Sequence, residues 1–300
     1  VHVHRRTTTD DTAVSTRRSL LRRVGIVHPR SLTEYEHLGG YLALRRAMSL
    51  GSERIIELVT ASGLTGRGGA GFPTGRKWAA VAAQPPGLRY VIANADESEP
   101  GTFKDRVLME GDPFALLEGL TIAAFAVGAE RGYIYLRNEY PLARELLTEA
   151  IDLARFHGYL GRNVLGSGFS FDVEIVRGAG AYICGEETAI FNSIEGFRGE
   201  PRSKPPFPVE AGLFGRPTVV NNVETLVNIP LIIEQGSSFV ETKLFCVSGA
   251  VERPGVVEVR SGASIADLID LAGGLTAGRR ARAALLGGAS GRFIEPSKFG

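Results

Sequence analysis

The sequence predicts an open α/β domain with a parallel sheet, followed by a small β-grasp module. Three observations predict it. Short apolar runs alternate with longer helix-like segments through the first three quarters of the chain. Glycine clusters and polar loops follow several of those runs, where an α/β sheet presents its ligand sites. Near residue 240 the spacing shortens to strand, strand, helix and strand within a few dozen residues.

The elements follow in order. Residues 34–48 and 52–62 read as helices, the second with Ile55, Ile56 and Val59 on one face. A short helix is expected at 77–83, ended by Gln84-Pro85-Pro86-Gly87. Tyr90 to Ala93 is a short buried strand running into an acidic loop, 94–105. A helix at 114–127, a strand at 133–136, a helix at 141–156 and a strand at 172–176 continue the alternation. Residues 244–248 and 256–259 are strands joined by the turn Arg253-Pro254-Gly255. A helix at 265–272 follows, with Ser264 as N-cap, Asp267 three residues on and Gly273 as its stop. Residues 284–286 form a further strand.

Composition narrows the function classes. The chain has 300 residues, 44% hydrophobic and 22% charged, with a formal net charge of +1, so no basic surface points to nucleic acid. No apolar run approaches the roughly 20 residues of a membrane-spanning helix, and no direct membrane insertion is expected. The two cysteines, Cys184 and Cys246, form no Cys-x-x-Cys, so neither a disulfide scaffold nor an all-protein iron–sulfur site is expected from this chain alone. Cys184 reads as a packed small apolar residue. Residues 1–30 carry seven arginines against Asp10 and Asp11. They read as a disordered basic arm. A mitochondrial transit peptide is the second reading, opposed by those two aspartates and by the lack of an amphipathic stripe.

Four motifs carry chemistry. Gly66-Arg67-Gly68-Gly69-Ala70-Gly71 has the G-x-G-x-x-G spacing of dinucleotide sites, but it follows a helix rather than a strand. Phe72-Pro73-Thr74-Gly75-Arg76-Lys77-Trp78 adds a kink, a stacking face and two cations. Bare amides with Lys77 suit a phosphate or the anionic edge of a flavin. The loop from Asn94 to Arg106, with Asp96, Glu97, Glu99 and Asp105, suits ribose hydroxyls, a carboxamide or a metal better than a diphosphate. Gly178-Ala179-Gly180 leads into Tyr182-Ile183-Cys184-Gly185-Glu186-Glu187, a turn opening a helix with two carboxylates at its positive end. Asn221-Asn222-Val223-Glu224-Thr225 opens another helix, after a basic, Pro-rich loop holding Lys204 and Phe207.

On these motifs (residues 66–78, 94–106, 178–189 and 217–225) the sequence closely resembles the 51-kDa-type flavin subunit of NADH:quinone oxidoreductase, complex I, and its relatives in NAD-linked hydrogenases and formate dehydrogenases. The resemblance runs from about residue 29 to 298. It implies a disordered arm over 1–30, a Rossmann-like FMN- and NADH-binding domain over 31–240 and a ubiquitin-like β-grasp, soluble-ligand-binding domain over 243–298. It implies that FMN contacts Gly66, Gly68, Lys77, Asn94, Asp96, Tyr182, Gly185, Glu186, Asn221 and Asn222. NADH is implied at Phe72, Glu99, Glu187, Lys204 and Phe207, with the adenine on the two phenylalanines.

The implied reaction is hydride transfer from NADH to FMN, then single electrons to iron–sulfur clusters leading to quinone. Rings held in contact suffice for the hydride step, so no catalytic acid or base is expected. Glu187 is expected to exclude a 2′-phosphate. The implied partners are iron–sulfur subunits of a multisubunit complex, among them a thioredoxin-like 2Fe–2S subunit. The implied location is cytoplasmic, peripheral to the inner membrane through those subunits. The sequence departs from the family pattern twice. Ala80 stands where the family usually has a second adenine-stacking aromatic, which lowers the expected NADH affinity several-fold. The family's [4Fe–4S] ligands follow the β-grasp module and are absent from this sequence. A diaphorase subunit of a hydrogenase or formate dehydrogenase, the related ion-pumping ferredoxin:NAD oxidoreductase subunit, and a non-catalytic nucleotide-binding fragment stand as alternatives.

Overall fold

Four short runs rich in β-branched and aromatic residues pair side by side, and the remaining elements pack on their two faces. This computed structural model describes residues 18–178 and 180–300. Helices α1 (Leu32–His37), α2 (Leu42–Leu50), α3 (Ser52–Ala61) and α4 (Thr74–Ala82) precede strand β1 (Tyr90–Ala95). Helices α5 (Lys104–Gly111) and α6 (Pro113–Val127) lead to β2 (Arg131–Leu136), and α7 (Pro141–Phe156) leads to β3 (Asp172–Arg177). The chain then forms α8 (Glu187–Ile194) and α9 (Pro208–Ala211) before β4 (Thr218–Asn222) and α10 (Val223–Gln235).

The four strands are parallel, in the order β3-β2-β1-β4. From β1 the chain steps outward through β2 to β3, then returns to the far side of β1 as β4. The topological switch therefore lies between β1 and β4, and the crevice beyond their C-terminal ends is the expected ligand position.

Period-two alternation sorts the side chains. Val91, Ala93 and Ala95 of β1 and Val219 of β4 face the main core, built around α6 and α10. Tyr90 and Ile92 face the other side, with Tyr133, Tyr135, Val220, Cys184 and Phe191. Helix α6 is buried on nearly every side, as its apolar sequence requires. Asp112 caps it, Pro113 occupies its first turn and Gly128 ends it with φ +70°.

The structure differs from the sequence expectation in four places. The helix expected over 34–48 is two helices. Gly40 packs against the Tyr35 ring so closely that a Cβ there would lie 2.0 Å from it, and Tyr41 adopts φ +59°. The buried Glu118 carboxylate accepts the Tyr41 and Leu44 amides at 3.0 and 2.9 Å and the Tyr35 hydroxyl at 2.5 Å, so it fixes the break. Helix α5 and strand β4 were not expected from the sequence at all.

The basic arm is not disordered over residues 18–30. Leu20, Leu21, Val24 and Val27 are buried. Glu258 accepts the Ser19, Leu20 and Leu21 amides at 2.9–3.0 Å, and Arg22 forms a double contact with Glu234 at 2.7 Å. Residues 1–17, the rest of that expectation, lie outside the described residues.

Beyond α10, β5 (Thr242–Val247) and β6 (Gly255–Arg260) form an antiparallel pair. Helix α11 (Ile265–Leu271) follows, with the Ser264–Asp267 capping box in place. Strands β7 (Ala284–Leu286) and β8 (Arg292–Ile294) form a second antiparallel pair. The two pairs are separate ladders rather than one sheet. No helix among the described residues is long and apolar enough to cross a membrane.

The tightest contact between the two central helices is at Gly119 of α6, where a Cβ would stand 2.1 Å from the Leu226 carbonyl oxygen of α10. Ala ordinarily stabilises a helix position by about 1 kcal/mol over Gly. Here overpacking reverses the sign, and Gly119→Ala is expected to destabilise the chain by about 1–3 kcal/mol. Urea unfolding checks this; an unchanged or raised midpoint contradicts the packing.

Candidate functional site

The site is assembled at the switch point from four loops. The first is the glycine stretch. The Gly66 amide donates to the Phe72 carbonyl at 2.9 Å, and Thr65 bridges to Pro73, so residues 66–72 close as a loop. Gly69 and Gly71 have φ of +108° and +63°, a region that disfavours a side chain. The amides of Gly68, Gly69, Ala70 and Gly71 have no partner among the described residues. The Arg67 amide is anchored on the Thr225 hydroxyl at 2.9 Å, which sets the loop against the start of α10.

The second loop leaves β1. Asn94 and Asn222 are register partners in the parallel pair and share a sheet face. The Asn94 amide group donates to the Gly185 carbonyl at 2.8 Å and its oxygen accepts the Asp96 amide at 3.1 Å. Asp96 is buried, and apart from the neighbouring Ser98 hydroxyl nothing pairs with its carboxylate. Burial raises its pKa above the ordinary carboxylate value. Glu97 caps α5 from eight residues upstream: its carboxylate accepts the Asp105 and Arg106 amides at 2.9 and 3.0 Å and the Tyr140 hydroxyl at 3.1 Å. Burial, with the adjacent Asp105 charge, raises the Glu97 pKa above the ordinary carboxylate range.

The third loop carries Tyr182 to Glu187. The Tyr182 hydroxyl donates to Glu99 at 2.6 Å, and the other Glu99 oxygen accepts the Ala289 amide at 2.6 Å. These two donors hold Glu99 below the ordinary carboxylate range. Glu186 is the N-cap of α8, accepting the Thr188 and Ala189 amides at 2.7 and 3.0 Å. Burial opposes its charge, but these donors and Lys204 outweigh it and lower its pKa.

The fourth piece is the start of α10. Asn222 caps that helix through the Glu224 amide at 2.9 Å and donates to Asp105 at 2.6 Å. Lys104 reaches Asp105 at 2.7 Å and Glu224 at 2.8 Å, and Glu224 also accepts the Leu244 amide of β5 at 3.1 Å.

A cavity of about 1110 Å³ opens among these loops and runs to the β-grasp residues. That exceeds the roughly 300–1,000 Å³ of a pocket for one small ligand. Of the residues expected to contact FMN, Gly68, Asn94, Asp96, Tyr182, Gly185, Glu186 and Asn222 line it, as does Glu99 of the NADH set.

Gly66, Lys77 and Asn221 do not line this cavity. Asn221 is one residue out of phase with Asn94 and Asn222, so its side chain points to the core face. There its oxygen accepts the indole N–H of the fully buried Trp78 at 2.8 Å. Lys77 belongs to a second cluster at the rim. Its ammonium lies 3.0 Å from the Val220 carbonyl, 3.4 Å from Glu187 and 6.0 Å from the Phe72 ring centroid. Lys204 joins that cluster, 2.9 Å from Glu187 and 3.2 Å from Glu186. Glu186 thus bridges rim and cavity. Phe72 and Phe207 are half exposed, and Arg76 and Lys77 lie over the Phe72 ring. Ala80 sits on α4, one turn beyond Lys77.

The sequence places Arg67, Glu97, Lys104 and Asp105 within its motifs but assigns none of them a contact with either ligand, and all four line the cavity. Alternating charges directly after a buried strand were the available signal.

The residues present fit a flavin. Asp96 offers a buried acceptor that only the neighbouring Ser98 hydroxyl approaches, and the glycine loop offers bare amides. Comparison with known proteins agrees. Residues 59–231 match the Nuo51 FMN-binding domain, and residues 244–293 match the SLBB domain. An NADH-quinone oxidoreductase subunit of Aquifex aeolicus is 50% identical over 286 residues, covering 92% of this chain and 67% of that protein. NADP-reducing hydrogenase subunit HndC of Solidesulfovibrio fructosivorans is 45% identical over 280 residues, covering 90% and 57%. A chain of the H2-reduced NAD+-reducing [NiFe]-hydrogenase superposes with a TM-score of 0.79 at 36% identity, over 94% of this chain and 48% of that one. The chain thus spans about two thirds of the first curated relative and about half of the solved one. It belongs to the family of the flavin subunit of NADH:quinone oxidoreductase, with a Nuo51 FMN-binding domain followed by an SLBB domain.

Proposed function

We propose that this chain binds FMN in the switch-point cavity and NADH between that cavity and the rim cluster, and serves as the NADH-oxidising subunit of a multisubunit electron-transfer complex. The observation that carries this reading is the buried carboxylate of Asp96, paired with nothing beyond the neighbouring Ser98 hydroxyl, beside a loop of free amides. A buried acceptor left unpaired costs about 1–3 kcal/mol, which a ligand N–H removes. Oxidised flavin has one ring N–H, and Asp96 would accept it.

FMN, when bound, supplies a two-electron acceptor that can release electrons singly. The chain's own residues bind and orient. Gly66 and Gly68 lend backbone to the flavin, and Lys77 lends charge. Asn94, Tyr182, Gly185, Glu186 and Asn222 frame it from the cavity side, and Asn221 does so through its backbone. Phe72 and Phe207 offer faces to the adenine, and Glu99, Glu187 and Lys204 offer polar contacts to the ribose and carboxamide. Glu99 must exchange its Tyr182 or Ala289 donor for a ligand hydroxyl. Ala80 leaves one side of the adenine open. Electrons then pass to iron–sulfur subunits, among them a thioredoxin-like 2Fe–2S subunit, in a complex peripheral to the inner membrane. The diaphorase subunit of an NAD-linked hydrogenase is the second reading, favoured by the 36% identical hydrogenase chain.

Two variants test the assignment. Lys77→Ala is expected to be isolated with little or no flavin while keeping its fold; flavin retained at one per chain, read from absorbance, contradicts the role of Lys77. Glu187 stands between Lys77 and Lys204. Glu187→Gln removes the carboxylate that both ammonium groups share, leaving Lys204 on Glu186 and Lys77 on the Val220 carbonyl. The NADPH-to-NADH ratio of kcat/KM is expected to rise by roughly tenfold or more, since removing one repulsive charge is worth over 1 kcal/mol at close range. An unchanged ratio removes Glu187 from substrate selection.

A further inference from the structure

The second β-grasp ladder is a hairpin whose tip reaches back to the flavin-binding domain. Strands β7 and β8 are three residues each and are joined by residues 287–291. Gly287 and Gly288 turn the chain with φ of +88° and +72°, and the Gly291 amide closes the turn on the Gly288 carbonyl at 3.0 Å. The Ala289 amide donates to the Glu99 carboxylate at 2.6 Å, across 190 residues of sequence. The Ser290 amide adds a contact to the same carboxylate. Gly288 lies so close that a Cβ there would stand 2.1 Å from a Glu99 oxygen. Gly287, Gly288 and Ser290 line the cavity with Glu99.

Little else holds the tip in place. No residue from 284 to 294 is buried, and the cross-strand partners Leu285 and Phe293 are 50% and 75% exposed. Among the described residues, hydrogen bonds from this hairpin to the flavin-binding domain run to Glu99 alone. A two-stranded ladder by itself is only marginally stable in water. Strand β5 is fixed by its Leu244 amide on Glu224, but the hairpin does not join the β5–β6 ladder. The hairpin can therefore move while β5 stays anchored.

Glu99 takes the Tyr182 hydroxyl on one oxygen and the Ala289 amide on the other. A ribose hydroxyl or carboxamide N–H arriving at this carboxylate must take the place of one donor. Tyr182 comes from one of the loops that frame the cavity, whereas the hairpin tip comes from outside that frame. Exchange of donor for donor keeps Glu99 paired. It passes the exposed Ala289 amide to water, so no polar group is left buried and unpaired.

We propose that the hairpin tip is a latch on the nucleotide site: the tip and a nicotinamide dinucleotide compete for the Glu99 carboxylate, so binding of the dinucleotide releases the β7–β8 hairpin from the flavin-binding domain. This rests on the reading of Glu99 as an NADH contact. The latch lowers the apparent affinity for NADH by the fraction of chains in which it is closed. It also carries the state of the site to the exposed face of the β-grasp segment.

Hydrogen exchange of the full FMN-loaded chain, with and without saturating NAD+, tests the release. Exchange across residues 285–293 is expected to rise about fivefold or more with NAD+, while exchange across residues 66–72 slows. Ala289→Pro removes the donor that meets Glu99. With an artificial electron acceptor, its KM for NADH is expected to fall about threefold to tenfold with kcat within about twofold of native. Ala289→Ser keeps the amide and is expected to keep the native KM, which separates the donor from a general loosening of the hairpin. An unchanged KM in Ala289→Pro overturns the latch, and a raised KM does so too, because the tip then assists binding. Slowed exchange across 66–72 with no rise across 285–293 refutes the latch and leaves the nucleotide reading standing. A chain in which NAD+ alters neither segment and NADH does not bleach the flavin refutes the nucleotide reading and the latch with it.

Discussion

One buried carboxylate, that of Glu224, ties the site together. Its oxygens meet the Lys104 ammonium at 2.8 Å, the β5 amide of Leu244 at 3.1 Å and the Arg67 guanidinium at 3.8 Å. These partners come from the start of α5, the first β-grasp strand and the glycine loop, and Glu224 itself sits in the first turn of α10. Burial pushes its pKa up, and the Lys104 charge opposes that shift. Such a cluster adds little net stability over an apolar packing, but removing one member leaves an uncompensated charge at a cost of about 3–5 kcal/mol. Its use here is positional: the glycine loop, the acidic loop and the β-grasp segment cannot shift independently.

The sheet supplies the second constraint. Because β4 returns beside β1 in parallel register, Asn94 and Asn222 stand together at the strand ends while Asn221 turns to Trp78. Two adjacent asparagines of the same motif therefore do different work. One helps form the cavity and the other locks helix α4, which carries Lys77, to the sheet. Around this frame the binding residues divide in two. Asn94, Asp96, Tyr182 and Gly185 surround the cavity, and Lys77, Glu187 and Lys204 form a charged rim beside Phe72. Glu186 touches both parts. A flat ring within the cavity and an extended nucleotide leaving over the rim suit that division.

Much of this was legible in the sequence, for physical reasons. The strands at Tyr90–Ala95, Arg131–Leu136 and Asp172–Arg177 each hold a short stretch of β-branched or aromatic residues with helices between them, and that alternation specifies a parallel sheet. The glycine loop and the loop from Tyr182 to Glu187 were legible because backbone without side chains and paired carboxylates at a helix start are local signals. The missed elements depend on distant partners. Helix α5 opens with charged residues and has no local cap; Glu97, eight residues upstream, supplies it. Strand β4 is five residues long and runs straight into α10. The packing of residues 18–30 rests on Glu258 and Glu234, more than 200 residues away. The orientation of Asn221 follows from register, which no local pattern reveals.

The central claim is that the crevice between β1 and β4, with the rim beside it, brings a flavin and NADH into contact. Anaerobic titration of the purified, FMN-loaded chain with NADH, followed at the flavin absorbance band, tests it most directly. Stoichiometric bleaching, with colour restored by an artificial electron acceptor, is the predicted result. A chain that takes up no FMN, or whose bound FMN keeps its colour under excess NADH, contradicts the account.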